Sequence, residues 1–299
     1  MIYEKTDTNQ QINAIAILKI ENDYPHNIPG KVLKICTFKV AENASGNKLG
    51  ELLLMAIFQY AANKKVSSSQ KIDYIYTEVL SKHEDLIAFL EQFGFSTQST
   101  DKPDNSQICV KSLIPPKDEN LSSLEYHIAY GPPALKVNTV FIVPIIPRWT
   151  DALFPESRIQ QQLLSNIPAG NAIRKAYLCN SKIKSIPKGA TLLFYRSQKN
   201  RSVIVIGVVE SILRSADPHE IRKFVGSRTV YTDAEIHELC ENGKEVLAIL
   251  FREDRLLKDI WSLEDLIKSA VIKRAPQSIH EIKEERGLKW IKSKLSDTH

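Results

Sequence analysis

The stretch KVLKICTFKVAENASGNKLG, residues 31–50, decides how the first third of this chain is read. Its first ten residues, Lys31 to Val40, are dominated by Val, Leu, Ile, Thr and Phe and predict a strand. From Lys48 onward apolar residues recur at Leu49, Leu52, Leu53, Ala56, Ile57, Tyr60 and Ala61. That spacing predicts a helix over 48–64 with one broad buried face. The segment between them is small and polar and includes Gly46. Strand, tight loop, helix is a geometry that holds phosphate: the first helical N–H groups lack partners and the helix dipole adds positive charge there.

On the N-terminal side, residues 13–20 (NAIAILKI) predict a second strand, and Asn27 to Gly30 supply the turn between the two. On the C-terminal side, residues 72–79 predict a strand. Residues 84–93 predict a short helix closed by Gly94, and residues 109–114 a further strand stopped by Pro115 and Pro116. Residues 116–138 are polar and turn-rich and read as a linker between a first domain over 1–115 and a second over 139–299.

Charge supports two halves. Residues 1–120 hold 13 Lys against 15 acids, whereas the remainder holds 27 basic and 20 acidic residues. All twelve arginines lie from Arg148 onward. Arg offers a planar fork to phosphate where Lys offers a point charge, so the halves are expected to meet different partners. Between Arg174 and Arg228 twelve Lys or Arg face three acids, Glu210, Asp217 and Glu220. This basic window lies over two apolar runs, 191–195 and 202–210, that predict strands. That is the footprint of a phosphate-backbone binder, and it equally suits a solvated basic face. Beyond it, helices are expected at 151–167, 217–224, 232–241, 262–270 and 278–295, and strands at 139–146 and 246–251.

The four cysteines, Cys36, Cys109, Cys179 and Cys240, are far apart, which argues against a disulfide framework or a zinc site. None of the seven histidines falls at a metal-ligand spacing. With no leader pattern and no long apolar run, the expectation is a cytoplasmic protein with no metal and no membrane association.

The order of elements over about residues 10–114, with the loop at 40–50 and the run IAFLEQFGF at 87–95, resembles the GCN5-related N-acetyltransferase (GNAT) superfamily. The resemblance implies a mixed sheet with helices, with acetyl-CoA as cofactor. Its pyrophosphate would lie on Ser45, Gly46, Asn47, Lys48, Leu49 and Gly50, and its pantetheine arm along Phe38 to Val40. The loop departs from the family's Arg/Gln-x-x-Gly-x-Gly/Ala at Ser45 and Lys48, and Leu90 stands where a tyrosine acid is common. Glu42 and Glu78 are the nearest carboxylates for a general base. The family's first strand and two helices lack counterparts here, so a partner chain could complete this domain.

Residues 186–196 (IPKGATLLFYR) followed by 205–210 (VIGVVE) resemble the ASCH and EVE domains of the PUA-like group. That resemblance, over roughly 139–255, implies a small β-barrel with flanking helices and RNA or modified-base binding. The ASCH signature Gly-x-Lys-x-x-Glu-x-Arg is not intact at 170–175. Arg174, Lys175, Lys188, Arg196, Arg201 and Arg228 are candidate phosphate contacts. Tyr177, Tyr195 and Trp149 are candidates to stack on an unpaired base. The expected whole is an α+β protein: an acetyl-CoA-dependent N-acetyltransferase-like domain fused to an RNA-binding domain. The alternative is a non-catalytic RNA-binding or regulatory protein.

Overall fold

The computed structural model describes residues 2–4, 12–22, 25–63, 71–99, 105–116, 120–132, 134–155, 167–198 and 200–296. They fall into two compact units: residues up to Lys136 apart from Gly46–Lys48, and residues from Val137 onward together with Gly46–Lys48.

The first unit runs β1 (Ile2–Glu4), β2 (Ile12–Glu21), β3 (Val32–Val40), α1 (Leu49–Asn63), β4 (Tyr74–Leu80), α2 (Glu84–Glu91), β5 (Ser96–Ser99), β6 (Ser106–Ser112) and α3 (Ser123–Tyr130). Its sheet has the order β1-β2-β3-β4-β6-β5. Neighbours are antiparallel except β3 and β4, which α1 connects as a parallel pair. Side-chain alternation sends Ala14 and Ala16 of β2, Leu33 and Ile35 of β3, and Ile75 and Val79 of β4 into the interior. From α1, which packs on β2 and β3, the buried residues Leu49, Leu53, Ala56, Ile57 and Ala61 follow the predicted stripe, Leu52 and Tyr60 are only half-buried, and Leu54, Met55 and Phe58 widen the buried face.

The polar stretch read as a linker contains α3. Ser122 caps it through a reciprocal box with Glu125, and Leu124 and His127 are its buried residues. Lys111 of β6 is fully buried, and its Nζ donates to the carbonyls of Phe93, Ile128 and Ala129 at 2.8–3.0 Å. A buried ammonium is tolerated because three acceptors replace its water. Gly94 lets this happen: a Cβ there would stand 1.9 Å from the Ile128 carbonyl oxygen, and its φ is +83°.

The second unit runs β7 (Val140–Ile145), α4 (Pro147–Leu153), β8 (Arg174–Cys179), β9 (Thr191–Arg196), β10 (Ser202–Ser215), α5 (Pro218–Val225), α6 (Asp233–Leu239), β11 (Val246–Ser262), α7 (Leu263–Lys268), β12 (His280–Glu281) and α8 (Glu285–Ser296). Its sheet, β12-β7-β9-β10-β11-β8, is mixed, with β7 parallel to β9. The sheet is open, with β12 and β8 as its edges, which corrects the expectation of a closed barrel. Phe154, Phe194 and Phe251 meet at the centre of the core, with Phe194 and Phe251 ring centroids 4.7 Å apart.

The α+β class read from the sequence holds, and boundaries differ. The helix expected at 151–167 is α4 at Pro147–Leu153, started by proline in its first turn, and residues 156–166 lie outside the described residues. The helix expected at 278–295 begins only at Glu285, after β12.

Candidate functional sites

Strands β3 and β4 pair at three positions only, Val32 with Tyr74, Leu33 with Ile75 and Lys34 with Tyr76. Beyond these both strands continue, to Val40 and Leu80, without pairing to each other. Thr77 stands at the parting, its hydroxyl donating to the Ile35 carbonyl at 3.0 Å. A second irregularity lies beside it. On β2, Ile17 pairs with Thr37 and Leu18 with Ile35, so Cys36 is an extra residue that bulges β3. Its thiol is exposed. The parted strands leave an edge of β3 facing β4 on which an extended ligand arm can lie as a strand would.

The loop that follows carries two residues in the left-handed region. Gly46 has φ +82°, and a Cβ there would meet nothing within 4 Å. Lys48 adopts φ +57°, a backbone that glycine takes without strain. α1 begins at Leu49. Gly50 faces the paired rings of Phe38 and Phe89, the nearest ring atom 3.6 Å from a built Cβ. Phe38 is therefore packed on the helix side of the sheet, and the strand's backbone is what remains to line an arm. Ser45, Gly46 and Asn47 are exposed. These residues fit a pyrophosphate and an extended thioester arm.

Of the two candidate bases, Glu78 on β4 accepts from Lys34 Nζ at 2.7 Å and lies 3.3 Å from His26 Nε2. The nearby Tyr76 hydroxyl donates to Glu21 at 2.5 Å, and burial first and that carboxylate second push its phenol well above the ordinary value. Glu42 is exposed in the turn Glu42–Ala44, and lines a cleft of about 620 Å³ with Lys39 and the start of β2. Leu90 is a core side chain of α2.

In the second unit two β-bulges organise a buried charge network. Val209 pairs with Phe251 and Ser211 with Leu250, leaving Glu210 as an extra residue on β10. Gly207 pairs with Glu253 and Ile206 with Arg255, leaving Asp254 extra on β11. Glu210 accepts from Arg174 at 2.7 and 2.9 Å and from Arg252 at 2.7 Å. Burial raises its carboxyl, but the Arg174 hydrogen bonds and the charges of Arg252, Arg174 and Arg228 overcome that and hold it below the ordinary value. Lys175 pairs with Glu253, and the fully buried Asp254 with Arg255.

The structure sorts the predicted contacts. Lys175, Tyr177 and Tyr195 are interior side chains, which takes them off the surface where they were expected. The Tyr177 hydroxyl donates to the Pro144 carbonyl. Arg174 is held by Glu210, and Arg196 lies 3.8 Å from Asp151. Arg228 is half-buried, whereas Lys188 and Arg201 are exposed on turns. Trp149 stacks on Tyr231 at 4.0 Å, with Arg148 over the same indole at 4.4 Å, so its stacking partners are internal. Arg214 donates to the carbonyls of Ser181 and Ile183 and so shapes the segment that presents the exposed Lys182, Lys184 and Lys188. Sequence reasoning missed the network residues Arg252, Glu253 and Asp254; the signal was the charged run 252–255 interrupting an apolar strand.

Among the described residues no group of three or more His, Cys, Asp or Glu could hold a metal ion, and no helix is long and apolar enough to cross a membrane. No family model matches the sequence, and no curated protein matches it. Solved structures do. ASCH from Zymomonas mobilis is 15% identical with a TM-score of 0.40, over 51% of this chain and 94% of that one. NAA60 from Arabidopsis thaliana, solved with acetyl-CoA, is 15% identical with a TM-score of 0.30, over 36% of this chain and 70% of that one. What this chain does is accordingly argued from its own geometry.

Proposed function

We propose that the first unit binds acetyl-CoA and carries its acetyl group to an amine, and that the second unit engages RNA or another nucleic acid through its exposed basic segment. The observation carrying the first half is the parted pair β3 and β4, with the cradle of Ser45 to Gly50 directly after β3. In this reading the N–H groups at the start of α1 hold the pyrophosphate. The free edge of β3, Thr37 to Val40, takes the arm by backbone hydrogen bonds and fixes its position. Acetyl-CoA supplies an activated thioester. In this reading a backbone N–H on the unpaired edge of β3 would polarise the acyl oxygen. Glu78, at the parting, would take the proton of the incoming amine as the C–N bond forms and the C–S bond breaks, the CoA thiolate leaving and taking its proton from water, with Lys34 and His26 orienting Glu78; Glu42 is the other carboxylate close to the loop.

A second reading has one observation in its favour. Leu90 occupies core where a proton donor to a leaving thiolate would be useful, which suits a unit that binds the cofactor without turning it over. Calorimetric titration of acetyl-CoA into the full chain tests both. Binding that Ser45→Glu weakens at least about tenfold, by placing a carboxylate against a phosphate, supports the cradle. No binding at millimolar cofactor removes both readings of the first unit. Acetyl transfer to a polyamine or a peptide N-terminus then separates catalyst from binder.

The nucleic-acid half rests on Lys182, Lys184 and Lys188, exposed in one segment before β9. Its mark is an affinity that falls steeply with salt and falls again in Lys182→Gln/Lys184→Gln/Lys188→Gln.

A further inference from the structure

At one end of the second unit's sheet, between the end of β11 and helices α7 and α8, lies a cleft of about 530 Å³. That is within the range of small-molecule sites. Its back is Trp261, 4% exposed, and Trp290 of α8 stands against it edge-on with ring centroids 5.0 Å apart. The two indoles fix each other, so Trp290 presents a rigid aromatic platform. Beside it lies Ile260, 53% exposed, an apolar side chain held at the surface.

Cations surround this platform. Arg286, Trp290 and Lys294 follow one another at single-turn spacing along α8, next to the buried stripe Gly287, Ile291 and Leu295. Lys294 Nζ lies 5.8 Å from the Trp290 ring centroid. Lys268 comes from the end of α7, and its carbonyl accepts from Arg286 at 3.3 Å, which anchors the guanidinium at the cleft. Of the two acids present, Asp265 is engaged in capping α7 through the Ser262 N–H and hydroxyl. Asp259 stays exposed, an acceptor suited to a base amino group.

Glycine makes the cleft possible. A Cβ at Gly287 would stand 2.6 Å from the Ala270 carbonyl oxygen and 2.8 Å from Val271 Cα. Only glycine lets α8 lie this close to the turn after α7, and that approach holds Trp290 against Trp261. The turn between β9 and β10 joins the same end, since the Leu263 N–H donates to the Arg201 carbonyl. Arg201, already a candidate phosphate contact, thus lies beside α7.

An aromatic platform ringed by Lys and Arg, with one free carboxylate, matches a base joined to a phosphate. We infer that this cleft binds a single nucleotide unit, its base on Trp290 and its phosphate among Lys268, Arg286 and Lys294. The site deepens the nucleic-acid half of the proposed function, yet it is built from residues distinct from the exposed lysines of 182–188. The ligand's source is either a free nucleotide or one unit of a single strand.

The test uses the full chain, with cytidine 5′-monophosphate followed by calorimetry and a labelled oligocytidylate of about ten nucleotides followed by anisotropy. Trp290→Leu is expected to weaken binding roughly tenfold, the loss of one base–aromatic stack. Lys268→Glu/Lys294→Glu, two exposed positions, does the same without touching the core, and circular dichroism checks that both variants fold. Binding of the mononucleotide identifies a free nucleotide as sufficient. Binding of the oligonucleotide alone, still weakened by both variants, identifies a strand. If neither probe binds, or if both cleft variants bind like the parent, the inference is overturned. Binding lost only in Lys182→Gln/Lys184→Gln/Lys188→Gln also overturns it, while leaving the basic-segment reading standing.

Discussion

Lys175 of β8 and Glu253 of β11 meet at 2.6 Å with each side chain only 1% exposed. The lysine also donates to the Leu153 carbonyl at 2.5 Å and lies over the Phe154 ring. Such a pair holds together because both charges are compensated, while removing one leaves the other buried without an opposite charge. Lys175→Met or Glu253→Gln alone is expected to lower stability by about 3–5 kcal/mol, read from the urea midpoint. The double variant Lys175→Met/Glu253→Leu is expected to recover most of the loss. Double-variant stability no better than the singles would mean the pair supports the fold through its polar contacts and not through charge balance.

Glu210 predicts how the second unit responds to acid. Its carboxyl is depressed in the folded protein, so its stabilisation is present at neutral pH and down to the ordinary carboxylate range near pH 4.5. Below that it is lost as the pH falls through the folded value. Melting temperatures measured from pH 7 to pH 3 should therefore drop more steeply in the parent than in Glu210→Gln. Parallel curves would show that Arg174 and Arg252 stabilise the neutral side chain equally well.

Cys36 reports on the parted strands. Cys109 and Cys240 are buried and Cys179 is partly covered, whereas Cys36 is exposed on the bulge beside the free edge of β3. Alkylation followed by mass spectrometry should mark Cys36 first, and saturating acetyl-CoA should slow that reaction several-fold. Labelling at an unchanged rate under conditions where calorimetry detects binding would move the cofactor away from this edge.

Much of the fold was legible because periodicity reports burial. The stripe from Leu49 to Ala61 and the strands at 13–20, 31–40 and 191–195 are patterns in which each residue's neighbours decide its environment. Helix α3 escaped because it is only eight residues long, SLEYHIAY, and sits in a stretch rich in Pro, Asp, Asn and Ser. What fixes it is Lys111, 17 and 18 residues from the carbonyls it holds, whose burial no local pattern announces. Strand β8 escaped for a related reason. Arg174 and Lys175 look like surface cations until Glu210 and Glu253, distant in sequence, are brought beside them by bulges in β10 and β11. The same long-range pairing turned predicted contacts into interior residues. The loop at 45–50 could be singled out because its glycines and its place between strand and helix are local features, and the Trp261–Trp290 cleft could not, since its walls come from three separate elements.

Lys48 gives the sharpest test of that loop. At φ +57° a residue with a Cβ is strained by roughly 1–2 kcal/mol, which glycine would relieve. Glycine also makes the unfolded chain more flexible, offsetting about 0.4–1 kcal/mol of that gain. Lys48→Gly is therefore expected to leave stability unchanged or raise it by about 1 kcal/mol, the difference of those two effects, measured by denaturant unfolding. Its effect on acetyl-CoA separates the two roles open to the side chain. If the ammonium supplies the charge that the loop lacks at Ser45, affinity falls several-fold despite the relaxed backbone. That fall is the expected result, because phosphate is the most highly charged part of the cofactor and the neighbouring loop residues are neutral. A rise in affinity together with stability would instead mean that the lysine crowds the cradle, and that glycine restores a site which this chain has partly closed.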